Sequence, residues 1–213
     1  MIKKLKSYGF FPAVFILFIV LHAFLIFNLR IYPFVDLPNH LTEATVLKFY
    51  HEPANQFDRF YTIRLFPEPN IFHILFLSLR IFPSVEYASK FFYCLYVILL
   101  PLSIFLAIRK LKGNKWVALL SFLFLYNFSL CWGFSGFTFF IPVFFFLFCF
   151  IIDYLDRDRL SDALKIAAIL LLIYFIHLLG AFFSLFFFLT CLVFRYRKSF
   201  KMMLGKSLAA VPS

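Results

Sequence analysis

WVALLSFLFLYNFSLCWGFSGFTFFIPVFFFLFCFII, residues 116–152, runs for 37 residues without a charge. A helix needs about 20 residues to cross the hydrocarbon core of a bilayer, so this stretch is too long for one crossing and long enough for two. Its middle, Cys131–Trp132–Gly133–Phe134–Ser135–Gly136, holds two glycines within four residues, where a tight turn is expected. The expected spans are therefore 116–131 and 137–152.

The rest of the chain supports the same solvent. Apolar residues make up 64% and charged residues 15%, with a mean hydropathy of +0.94. A soluble domain carries roughly 45–50% apolar and about 25% charged residues. Only helices and closed barrels satisfy their backbone in lipid, and the alternating ten-residue pattern of a barrel strand is not seen.

Other uncharged stretches give the remaining spans. Ser7–Leu29 gives a span at 8–29, and Phe91–Ile108 gives one at 90–108 with Pro101 as a kink. Ile166–Phe194 has 29 residues, which one crossing does not use up. Two crossings, 162–178 and 180–195, turning near His177–Gly180, keep the basic residues at both ends on one side; Lys165 and Arg195 lend length by snorkelling. Pro69–Leu79 has only eleven uncharged residues, about 16 Å of helix. A full crossing there would move Arg109–Lys115 to the outer side, so 70–83 is read as a partial or re-entrant helix. A seventh span is the alternative. The expected fold is all-α: a polytopic transmembrane helical bundle of six full spans plus one short helix, a single domain over 1–213, with an external loop at 30–69.

The net charge of +11 comes from basic residues beside apolar runs: Lys3, Lys4 and Lys6; Arg109, Lys110, Lys112 and Lys115; Arg195, Arg197, Lys198, Lys201 and Lys206. That pattern sets orientation, with both termini expected on the cytoplasmic side. No basic stretch is interleaved with a stacking platform, so nucleic acid is not an expected partner and membrane lipid is. Cys94, Cys131, Cys149 and Cys191 have no metal or redox spacing and read as small core residues. No small-residue cleavage site follows the first apolar run, so it reads as an uncleaved span. Glycine-rich phosphate loops are absent from the sequence, which excludes a P-loop enzyme. The alternating charges of 153–159 read as a self-paired loop.

Against this background YPFVDLPNHLTEA, residues 32–44, is unusual. It holds Asp36, His40 and Glu43, in a chain with only ten acidic residues. With Asp36 as N-cap and Pro38 in the first turn, a short amphipathic helix follows. At 100° per residue His40 and Glu43 fall close to Asp36 on one edge, beside an apolar stripe of Leu37, Leu41 and Ala44. An acid, an imidazole and a second acid suit a general base, or a metal site built on Asp36 and His40. His177, at an expected outer turn on the same side, is a further candidate; His73 is a weaker one, and His22 reads as a packing residue.

The 32–44 stretch resembles the first external loop of the C-type (GT-C) glycosyltransferases, multi-span enzymes that use polyprenyl-phosphate sugars, and of related bacterial multi-span proteins with an aspartate–leucine–proline–x–histidine stretch there. Asn127, Gly133–Phe134 and Phe137–Pro142 resemble their later asparagine, glycine–phenylalanine and proline-bearing span, and Tyr174–His177–Leu178 resembles a histidine near a later helix end. The resemblance covers an N-terminal module, with one aspartate where many of those enzymes carry two acids. It implies transfer of a sugar from a polyprenyl-phosphate donor to an outward-facing envelope glycan or glycolipid. Asp36 would act as base or hold a divalent metal, while His40, Arg59 or Arg64 would meet the lipid phosphate. The rival expectation is a non-catalytic multi-span protein, an assembly partner or a transporter subunit, for which Asn127 and Ser129 are the best intramembrane polar candidates.

Overall fold

The computed structural model describes residues 9–30, 32–64 and 67–197. Lys3, Lys4, Lys6, Lys198, Lys201 and Lys206, on which the expected orientation rests, lie outside them. Every described element is helical. The contacts gather the chain into two compact units, one of residues up to Arg64 with His73–Ser135, the other of Leu65–Phe72 with residues from Gly136 onward.

The first unit opens with α1, Phe11–Asn28, which starts on Pro12, where a missing amide costs nothing. Only Phe11, Phe15 and Ile26 of α1 are buried, while Ile16, Leu17 and Phe24 are exposed. A helix apolar on all sides and buried on one needs lipid on the others. Helix α2, Leu37–Lys48, and a 3-10 turn at Phe57–Arg59 follow in the polar region. Helix α3, Phe72–Leu77, has six residues, about 9 Å, which is too short to cross a hydrocarbon core.

Helix α4, Val85–Lys110, begins at Ser84, whose hydroxyl accepts from the Tyr87 amide. It extends further back than the uncharged run suggests, because Ser84 caps it and Glu86 favours the positive end of the dipole. A 3-10 helix, Lys115–Phe124, and the short α5, Phe128–Trp132, follow. The break between them is made by Asn127. Its amide oxygen accepts from the Leu130 amide, and its Nδ2 donates to the Phe124 carbonyl and the Tyr96 hydroxyl. Asn127 is therefore a helix cap, and its polar atoms are engaged locally.

Aromatic side chains hold α1 against its neighbours. Phe11 and Phe15 meet Phe105 of α4. His22 stacks on Phe122 at 5.5 Å and pairs with the Tyr126 hydroxyl at 3.0 Å, the packing role expected for it. Lys48, at the end of α2, is 7% exposed; its Nζ donates to the carbonyls of Phe82 at 2.6 Å and Leu79 at 3.3 Å. An ammonium can be buried there because two carbonyls receive it, that of Leu79 also accepting from the Phe82 amide at 3.3 Å.

The second unit comprises α6, Ser135–Arg157, from its second residue, Gly136, onward, with α7, Leu160–Ile176, and α8, Leu178–Tyr196. Phe144 meets Phe183 and Phe187 of α8. The α7–α8 break falls at His177, inside the expected turn. A Cβ on Gly136 would lie 2.5 Å from the Ile176 carbonyl oxygen, so only glycine allows this approach. Asn70 bonds the Leu178 amide through its Oδ1, and Tyr174 donates to the Pro67 carbonyl. Arg157 pairs with Asp153 at 3.1 Å, within the alternating-charge segment.

Among the described residues five helical segments are long and apolar enough to cross a membrane: Phe11–Asn28, Val85–Lys110, Lys115–Trp132, Ser135–Arg157 and Leu178–Tyr196. The expected span at 162–178 corresponds to α7, which has 17 residues and carries Asp162 and Lys165 in its first turns. The cysteines correct an expectation. None is buried; Cys131 is exposed, next to the turn that ends α5, and the other three are half-buried, Cys94 with its Sγ donating to the Ala23 carbonyl of α1 at 3.4 Å.

Candidate functional site

The 32–44 stretch docks on the C-terminal end of α5. A helix leaves its last carbonyls without partners, and α5 is five residues long, so nearly all of its carbonyls need outside donors. The Val35 amide donates to the Cys131 carbonyl at 3.2 Å and the Asp36 amide to Trp132 at 3.0 Å. Gly133 closes α5 in the left-handed conformation, φ +81°. A Cβ there would lie 2.9 Å from the Asp36 nitrogen and 3.1 Å from that of Leu37, so glycine serves both the turn and the close approach.

The Gly133 carbonyl then gathers a chain of donors. His40 Nε2 lies 3.2 Å from it, and Ser135 Oγ donates to it, also at 3.2 Å. Tyr93 hydroxyl lies 2.9 Å from Ser135 Oγ, and His73 Nε2 lies 3.1 Å from His40 Nδ1. For a neutral His40 ring these contacts set the proton positions. A carbonyl only accepts, so His40 carries its proton on Nε2 and its Nδ1 is an acceptor. His73 must then donate from Nε2, and Ser135, donating to Gly133, accepts from Tyr93.

His73 is 6% exposed, and its Nδ1 has no partner among the described residues. Burial, helped by the neighbouring His40, pushes its pKa down to about 3. The folded protein thus keeps His73 neutral, while the unfolded chain takes up a proton near the ordinary 6.5. The stabilising effect is whole above pH 6.5 and is lost as pH falls from there toward 3, by at most about 1.4 kcal/mol per pH unit. In detergent, stability should drop by up to about 2 kcal/mol between pH 6.5 and 5. His73→Gln, which keeps a donor for His40 without titrating, should flatten that dependence in paired denaturation curves.

The sequence-derived residues fare differently. Asp36 occupies the N-cap position, yet its carboxylate makes no capping bond. Its backbone, φ −88° and ψ −7°, is already helical, whereas a capping side chain needs extended backbone to reach back to the helix amides. Asp36 is half-exposed and Glu43 is exposed. The buried side of α2 is Leu37, Ala44 and Lys48, and His40 turns toward that side. Among the described residues no side-chain hydrogen bond joins Asp36, His40 and Glu43; the His40 amide meets only the Asp36 carbonyl, at 3.3 Å, so the expected acid–imidazole–acid edge is not assembled.

Nor does the arrangement suit a metal on Asp36 and His40. Both His40 nitrogens are engaged, and among the described residues no group of three histidine, cysteine or carboxylate side chains is placed to share an ion. Arg59 lies in the polar loop, bonded through Nη1 to Gln56, and Arg64 is exposed. His177 belongs to the second unit, where its Nδ1 accepts from the Gly180 amide and its ring stacks on Phe140. It is the cap of α8.

Beside the first turn of α2 is a cleft of ≈ 190 Å³. It is lined by Leu37, Pro38 and Leu41 of α2, by Tyr32, Glu86 and Ser89, and by two cations, Arg30 and Lys90. Arg30 and Lys90 were not among the sequence-derived candidates, because they lie 60 residues apart and no motif or spacing links them. Comparison with protein families, curated proteins and solved structures gives no match to this chain.

Proposed function

We propose that the protein is a membrane glycosyltransferase of the C-type kind, moving a sugar from a polyprenyl-phosphate donor to an outward-facing glycan or glycolipid. The observation that carries this reading is the state of Asp36. Its backbone is held by the Trp132 carbonyl and the Gly133 approach, while its carboxylate is half-exposed and used neither as a cap nor in an ion pair. A rigidly positioned, unengaged carboxylate is what a general base requires.

In the reaction Asp36 takes the proton of an acceptor hydroxyl as that oxygen bonds the sugar's anomeric carbon. The bond from that carbon to the phosphate oxygen breaks, and polyprenyl phosphate leaves with the electron pair. Arg30 and Lys90, beside the cleft at α2, offer charge to the departing phosphate, ahead of the loop residues Arg59 and Arg64. His40 acts as a positioning residue for α2, and Glu43 and His177 have no assigned step. In this reading the chain lies in a bacterial plasma membrane with both termini cytoplasmic, and 30–69 faces outward.

A second reading, a non-catalytic multi-span partner, draws on the engagement of both His40 nitrogens, which makes the 32–44 stretch a structural staple. The deciding assay incubates the full chain in vesicles with labelled polyprenyl-phosphate hexose or pentose and an envelope glycolipid fraction. Label entering the glycolipid supports transfer. Donor left intact across both sugar classes favours the staple.

A further inference from the structure

A different part of the first unit carries a second site. Between the first half of α1 and the last half of α4 runs an open groove of ≈ 620 Å³, with Phe15, Ile16, Ile19 and Leu102 along its length. Arg109, Lys112 and Lys115 also line it, and among the described residues no acidic side chain does. The cations sit where α4 ends and the next apolar segment, Lys115–Trp132, begins, a level at which headgroups of a bilayer would lie.

Two of these cations are held over the rim. Arg109 lies over the Phe105 ring at 5.8 Å, and Lys115 over the Phe11 ring at 5.6 Å. Trp116, edge-on to Phe11 at 5.4 Å, marks the same level, since tryptophan favours the membrane interface. Lys112 takes the left-handed conformation, φ +57°, in the turn that ends α4, with Gly113 bonded back to the Ile108 carbonyl. Glycine is the usual residue at such a turn. A lysine there accepts backbone strain and places an ammonium at the groove mouth.

We infer that this groove binds one anionic phospholipid, an acyl chain lying along α1 and α4 and the headgroup phosphate meeting Arg109, Lys112 and Lys115. A tail-shaped apolar trough ending in three cations is complementary to that molecule, and basic pockets at the ends of membrane helices bind anionic headgroups. The inference does not depend on the sugar-transfer reading.

Trp116 provides the readout. The full chain, with Trp132→Phe to leave one indole, is reconstituted in phosphatidylcholine vesicles containing a minor fraction of brominated phosphatidylglycerol or brominated phosphatidylcholine. Quenching should show roughly tenfold preference for the anionic lipid. The variant Arg109→Gln/Lys112→Gln/Lys115→Gln should lose most of that preference. Ile16→Trp is unsuitable with this readout; Ile16→Tyr fills the trough while leaving the cations, and should lose it as well. Equal quenching by the two lipids, or an unchanged preference in the charge variant, overturns the inference. Preference kept in Ile16→Tyr, or abolished by inorganic phosphate at matched ionic strength, reduces the site to a surface anion patch and overturns it too.

Discussion

Asp36→Asn is expected to lower sugar transfer by a factor of about 10² to 10⁴, the range a positioned general base contributes. The same change should leave stability within about 0.5 kcal/mol of wild type. The two halves separate chemistry from folding, because the Asp36 amide, not its carboxylate, ties α2 to α5. Asparagine keeps that amide. Glu43→Gln, at an exposed position on the same helix, should change the rate by no more than a few-fold. Initial rates at saturating donor, with denaturation curves of the same preparations, make the comparison. Full turnover by Asp36→Asn would leave the stretch as a staple and nothing more.

Gly133→Ala carries the largest expected loss of stability, roughly 3 kcal/mol. Part of this is the left-handed backbone at φ +81°, about 1–2 kcal/mol for any residue with a Cβ. The remainder arises because the new methyl meets the backbone nitrogens of Asp36 and Leu37, which cannot rotate away as a side chain would. Gly9→Ala is the control. Gly9 is also left-handed, φ +61°, but nothing lies within 4 Å of its would-be Cβ, so only the conformational part applies. Equal losses at the two positions would mean that α2 does not press on Gly133.

The turn at 131–136 and the break at His177 were legible in the sequence for good physical reasons. Glycine placement and the length of uncharged runs are local quantities, and the requirement that charge stay out of lipid makes them decisive. The pairing of His40 with His73 was not legible. The two lie 33 residues apart across an irregular loop, and no periodicity links them. Lys48 was equally hidden, since lysine is rarely buried and its partners are carbonyls, which every residue has. Asp36 was placed correctly as the residue before the helix but misread as its cap, because capping depends on a backbone angle that side-chain chemistry alone does not reveal.

The 3-10 helix at Lys115–Phe124 has a bearing on thickness. At ~2.0 Å per residue its ten residues extend about 20 Å, where an α-helix of the same length would reach about 15 Å. The tighter winding makes a short segment tall, so 115–132 can match a bilayer that its residue count alone would leave underfilled. The same ten residues wound as α would be shorter by ~5 Å, about one helical pitch.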